Sequence, residues 1–174
     1  INNSSIVIKK DLVIQYENIK LLENLSDYAL FFAALDSKGD IVTDGRALTY
    51  YRLHSGQSDF GGSLDSLHQF MENYANTLER KIRSINLLCH TFKHNISIYN
   101  FCLKKRRIFY LLYNSLPSNF VKKEYKLSFT ELIGLLRSSE YIFVIEDLLP
   151  DLLKIKLNEM RYKRELSMRV KYNA

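Results

Sequence analysis

Little in this chain provides for disulfide, zinc or membrane-spanning architecture. Two cysteines, Cys89 and Cys102, stand in 174 residues. They are too few and too poorly spaced for a zinc site or a disulfide framework, and their scarcity suits a reducing cytoplasm. In that context the Asn-x-Ser sequons at Asn2, Asn3, Asn24 and Asn95 carry no weight. No stretch reaches ~18 uninterrupted apolar residues, so hydropathy offers no spanning helix. A basic start followed by an apolar stretch is also missing near the N-terminus, so no signal peptide is read. Glycine is sparse, with 6 residues, and no Gly-rich or Asp-x-Asp segment in a strand context is present to hold a nucleotide and its metal. Neither a repeat period nor a low-complexity segment is apparent. The chain opens at Ile1 rather than Met and reads as a piece of something longer.

Charge is present but unevenly spread. The net charge is +6; residues 1–62 hold 6 Lys and Arg against 8 Asp and Glu, a balance of −2, which leaves +8 for the remainder. From Lys154 to Lys171 seven basic residues face only Glu159 and Glu165, and Lys104, Lys105, Arg106 and Arg107 form a second cluster. Such faces suit anionic lipid headgroups, phosphates or nucleic acid, and equally the plain solvated surface of a helix.

Ser5-Ile-Val-Ile-Lys9 is a short, β-branched apolar run that predicts an inner strand leading into a helix over about Asp11 to Tyr16. Asn18 to Leu25 is irregular and reads as a loop. Ser26 is placed to cap a helix with Asp27 in its first turn, where the helix dipole favours a negative charge; that helix runs to Lys38 and stops at Gly39. Ile41-Val42 gives one β step and Ala47 to Leu53 a strand, ending at the His54-Ser-Gly turn. Asp59-Phe-Gly-Gly62 is the clearest linker and coincides with the shift in charge.

After the linker the pattern is helical. Leu64, Leu67, Met71, Tyr74, Leu78, Ile82, Ile85 and Cys89 recur at three and four, a stripe that must be buried, within a long helix starting at Ser63. A second helix runs from about Ile96 to Leu116 and stops at Pro117. Ser128-Phe-Thr-Glu131 has the capping-box pattern and opens a third, to about Leu136. The helical run from Tyr141 is interrupted by Pro150, which costs ~3 kcal/mol inside a helix and implies a kink or a fresh start. His90 and His94 have the i, i+4 spacing of a zinc pair, yet no third ligand accompanies them and an exposed pair is expected. Tyr110, Tyr113, Tyr125 and Tyr141 lie on helices near basic residues. Stacking platforms for single strands sit on sheets, so packing is expected and no nucleic-acid partner.

Three motifs in order carry a family resemblance. Ser4-Ser-Ile-Val-Ile-Lys-Lys-Asp-Leu12, then Asp27-Tyr-Ala-Leu-Phe31, then Ala47-Leu-Thr-Tyr-Tyr-Arg-Leu-His54 followed by Gln57 and Ser58 resemble the carboxyl-terminal part of the catalytic domain of glycosyltransferase family 2. The resemblance covers about the first 60 residues. It implies a mainly α chain with a small α/β portion: residues 1–62 as the last part of a nucleotide-diphospho-sugar transferase fold, and residues 63–174 as a helical extension. It implies transfer of a sugar from a nucleotide-diphospho-sugar to a glycan, lipid-linked or protein acceptor with inversion, and a chain inactive alone because the nucleotide-binding half lies elsewhere. Asp27 falls at the catalytic base, His54 at a position near the diphosphate that binds a divalent metal (Mn²⁺ or Mg²⁺) in some members, and Arg52 and Gln57 at substrate-binding positions. The chemistry of each fits: a carboxylate can take the proton of an attacking hydroxyl, imidazole suits Mn²⁺, and the guanidinium fork pairs with phosphate or holds the turn. Departures are Ser26 where the family has Glu, Ala29 where an acidic residue is common, and Phe31 at an aromatic or Trp position. The competing reading is a non-catalytic helical interaction module whose basic faces bind a membrane surface, a protein partner or nucleic acid. The basic, amphipathic extension gives either reading an anionic membrane surface as a partner, and a cytoplasmic protein peripheral to the membrane as the expectation.

Overall fold

Spacings of three and four dominate the sequence, and the backbone follows them. The computed structural model of the chain describes residues 10–37, 66–136 and 141–173. These form helices α1 (Lys10–Gln15), α2 (Ser26–Asp36), α3 (Leu67–Thr91), α4 (Ile96–Asn114), α5 (Phe129–Leu136), α6 (Tyr141–Asp147) and α7 (Asp151–Asn173), with 3-10 turns at Glu17–Leu21 and Ser118–Phe120. No strand occurs among the described residues, and the chain is mainly α. The strands expected within 5–9, 41–42 and 47–53, and the linker at 59–62, lie outside the described residues.

Two compact units divide the chain, the first made of 1–52 and 80–106, the second of 53–79 and 107–174. In the first, α1 and the 3-10 turn pack on α2. The turn at Glu17–Leu21 occupies residues whose sequence reads as a loop; Ile19, buried there, is the anchor that a periodicity search over so few residues misses. Tyr16, Ala29, Phe32, Ile82, Ile85, Leu88, Phe92, Ile98 and Cys102 are all buried, each large side chain contributing about 1.5–3 kcal/mol relative to exposure. Phe32 meets Phe92 edge-on at 5.9 Å and Phe101 at 5.5 Å, the T-shaped arrangement that ring quadrupoles favour. Cys89 and Cys102 are buried free thiols. Cys102 donates to the Cys89 sulfur, and this bond and burial push the Cys102 thiol well above its usual range.

The second unit holds two apolar clusters. Phe70 and Met71 are covered by Leu67, Phe120, Tyr162 and Leu166; Leu111, Leu135 and Val144 by Leu127, Leu132 and Phe143. The expected stripe on α3 is buried at Met71, Leu78, Ile82, Ile85 and Cys89. Ser66 caps α3 through its hydroxyl, which accepts the Gln69 N–H at 3.1 Å; the start expected at Ser63 lies outside the described residues. Helix α4 ends two residues earlier than Leu116. Asn114 is committed there to the 121–127 segment, donating to the Tyr125 carbonyl at 2.8 Å and accepting the Tyr125 N–H at 3.1 Å. The capping box forms as the sequence predicts: the Ser128 hydroxyl accepts the Glu131 N–H at 3.3 Å and the Glu131 carboxylate accepts the Ser128 N–H at 3.0 Å. Pro150 separates α6 from α7, and the new helix starts on its carbonyl, which accepts the Lys154 N–H at 3.0 Å. Tyr110 stacks on Tyr125 at 4.5 Å and Tyr113 is fully buried, as expected, but Tyr125 lies in the irregular segment before α5 rather than on a helix, and Tyr141 is 51% exposed.

Candidate functional site

Helix α2 begins abruptly. Asn24 directs its backbone N–H to the Ser84 hydroxyl at 3.0 Å, while its side-chain oxygen accepts the Leu25 N–H at 2.8 Å. Leu25 is thereby driven into the left-handed region at φ 63, a conformation costing about 1–3 kcal/mol in a residue with a Cβ, and its buried side chain offsets part of that cost. The helix therefore caps on Leu25, and Ser26, the expected N-cap, is its first helical residue. The physical reason is that Asn24 and Ser84 fix the turn one residue upstream.

Asp27 occupies the first turn of α2, as expected. It is half-buried, and among the described residues no hydrogen bond or ion pair engages its carboxylate. It borders a cavity of about 350 Å³ whose walls are Tyr28, Phe31, Phe32 and Leu35 from α2 and Ser97, Ile98 and Phe101 from α4. That volume falls within the ~300–1,000 Å³ of small-molecule sites, which are mostly apolar with a few polar groups fixing orientation. Tyr28 reaches Phe101 at 5.8 Å and Phe32 at 5.9 Å, which holds the aromatic wall rigid, and the Lys105 ammonium lies 5.5 Å from the Phe101 ring centre. One carboxylate beside a firm aromatic wall can accept a proton from a hydroxyl group on a ligand packed against the rings.

The other expected site residues, Arg52, His54 and Gln57, lie outside the described residues. Among the described residues no group of three or more His, Cys, Asp or Glu is placed to hold a metal ion. His90 is exposed at the end of α3 and borders a second, polar cavity of about 470 Å³ with Gln15, Tyr16, Glu17, Asn18 and Thr91. His94 falls beyond the end of α3 at Thr91, so the two imidazoles do not share a helical face.

A cluster that sequence reading missed stands at the other end of α2. The Asp36 carboxylate accepts the Tyr16 hydroxyl at 2.6 Å, the Asn95 amide at 2.9 Å and His94 Nε2 at 2.8 Å. Its side chain is 8% exposed against 61% for His94. Burial raises the Asp36 carboxyl, but the bonds from Tyr16, Asn95 and His94 outweigh it and hold it below the ordinary carboxylate range. Burial, and then the bond and charge of Asp36, push Tyr16 up to about 12. Of the two histidines only His94 meets the Asp36 carboxylate; His90 lies at the other cavity. The available signal was an aspartate in the last turn of a helix, which opposes the macrodipole and calls for partners from elsewhere.

Comparison with protein-family models, curated proteins and solved structures finds no match.

Proposed function

We propose that the chain is the distal part of an inverting glycosyltransferase that moves a sugar from a nucleotide-diphospho-sugar to an acceptor hydroxyl, with Asp27 as general base. The observation that carries this reading is the half-buried Asp27 carboxylate at the edge of an aromatic-walled cavity, in a chain whose three ordered motifs resemble those of family 2. The acceptor oxygen attacks the anomeric carbon while its proton passes to the Asp27 carboxylate. The bond from that carbon to the diphosphate oxygen breaks on the opposite face, and the electron pair leaves with the diphosphate. Tyr28, Phe31, Phe32 and Phe101 offer apolar walls for the C–H face of a sugar ring, which fixes the hydroxyl against the carboxylate. On this reading residues 1–62 belong to the transferase fold, Arg52 and Gln57 bind substrate and His54 meets the metal. The described residues do not themselves assemble a divalent-cation site.

The test is transfer by the protein carrying both this chain and its nucleotide-binding portion, across a panel of nucleotide-diphospho-sugars and simple acceptors. The anomeric configuration of the product is read by proton nuclear magnetic resonance. Inversion is expected; retention, or no transfer from any donor that binds, would overturn the reading.

A further inference from the structure

Helix α7 packs inward through Tyr162 and Leu166 on Phe70 and Met71 and through polar groups: Asn158 is fully buried, Lys154 donates to the Asn114 carbonyl at 2.9 Å and Arg161 pairs with Glu146 at 2.6 Å. Its outer positions carry Leu152, Leu153 and Met160, with Leu152 77% and Met160 65% exposed. Leu148, four residues before Leu152, is 78% exposed. Leu152, Lys156, Met160 and Lys163 follow one another at four, four and three, which places them on one stripe, and Lys156, Lys163 and Arg164 are exposed with them. A helix whose inner face already satisfies its polar groups has no internal use for large apolar side chains on the outside.

We propose that this outer stripe of α7, with Leu148 in the turn before it, docks on an anionic lipid bilayer, Leu148, Leu152 and Met160 entering the headgroup boundary and Lys156 and Arg164 meeting the lipid charges. The charge around the apolar residues decides the occupant. Glu146 is neutralised by Arg161 and Glu159 by Lys163, while Asp151 accepts from the Ser118 hydroxyl. Lys163 and Glu159 offset each other, so the exposed Lys156 and Arg164 set the sign of the face. A second copy packed isologously would bring those cations against their own counterparts, whereas an anionic surface attracts each of them. Apolar side chains interspersed with basic ones on one helix face is the pattern of interfacial helices. No helix among the described residues is long and apolar enough to cross a membrane, so contact of this kind lies in the interface plane. This inference stands independently of the transfer reading.

The 174-residue chain is sedimented with vesicles of phosphatidylcholine, and with vesicles in which part of it is replaced by phosphatidylserine. Pelleting with the anionic vesicles is expected, weakening as salt is raised. Leu152→Ser with Met160→Ser lowers partitioning on the order of tenfold; Lys156→Gln with Arg164→Gln lowers it roughly twentyfold on anionic vesicles and little on neutral ones. All these positions are exposed, so circular dichroism and melting of both variants stay close to the parent. Equal recovery in the supernatant with and without phosphatidylserine overturns the proposal, as does binding indifferent to Leu152 and Met160. Lipid-free self-association in light scattering that Leu152→Ser abolishes assigns the face to a second copy and overturns it too.

Discussion

Replacing Asp36 by alanine removes one acceptor that serves three donors, and the structure allows the cost to be worked out. The bonds from the buried Tyr16 hydroxyl and from Asn95, at 2.6 Å and 2.9 Å, are bonds to a charged acceptor worth about 1.5–3 kcal/mol each. The bond from His94 adds at most ~1 kcal/mol, because that imidazole is 61% exposed and the bond competes with solvent. Relief of the unfavourable charge at the C-terminal end of α2 returns about 0.3–1 kcal/mol. The net loss is about 2–7 kcal/mol, a large part of the ~5–15 kcal/mol by which domains are stable. It corresponds to a fall in melting temperature on the order of 10 °C. Urea denaturation of Asp36→Ala, followed by circular dichroism at neutral pH, measures it, with His94→Ala as the control expected to lose under ~1 kcal/mol. A loss below ~1 kcal/mol for Asp36→Ala would refute the reasoning and reduce the cluster to incidental proximity. The sign of the pH dependence follows from the depressed Asp36 carboxyl. Its contribution is fully present above the unfolded value of ~3.9 and is lost as pH falls through the lower folded value, so Asp36→Asn flattens the acid limb of the stability curve.

Further expectations concern the alkaline limb, a cap and a strained residue. Tyr16 and Tyr113 are each pushed up to about 12, above the unfolded value of ~10. Their contribution is present below ~10 and lost as pH rises through about 12; Tyr16→Phe with Tyr113→Phe removes that loss in alkaline denaturation curves. Ser128→Ala breaks the capping box at α5 and lowers urea stability by about 1 kcal/mol, whereas an unchanged midpoint would show that the bonds to Glu131 contribute nothing. Leu25→Ala keeps the left-handed strain while losing most of the buried side chain, so a loss of about 2 kcal/mol or more is expected in the same assay.

Much of the helical layout was legible because it depends on signals that few neighbours can override. The apolar stripe of α3, the Ser128 to Glu131 box and the break at Pro150 are local and strong, and the helices appear where they predict. Features depending on residues distant in sequence were not legible. Ser26 has the right chemistry for an N-cap, yet Asn24 bound to Ser84 sixty positions away moves the cap to Leu25. The end of α4 yields to Asn114 clasping Tyr125, and Asp36 finds partners 20, 58 and 59 residues away. Local propensity cannot foresee such tertiary choices. At the candidate site the carboxylate in the first turn of α2 was readable from Asp27 and its neighbours. The wall from Ser97, Ile98 and Phe101 was not, since it requires the packing of α4 on α2.

The central claim is that Asp27 takes the acceptor proton, and it is tested most directly by Asp27→Asn in the protein carrying its nucleotide-binding portion. Turnover and nucleotide-sugar affinity are measured on the same preparation. The amide fits the same space but cannot serve as the base, so transfer falls by about a hundredfold or more while donor affinity stays near that of the parent. Turnover close to the parent's with Asn in place would contradict the assignment.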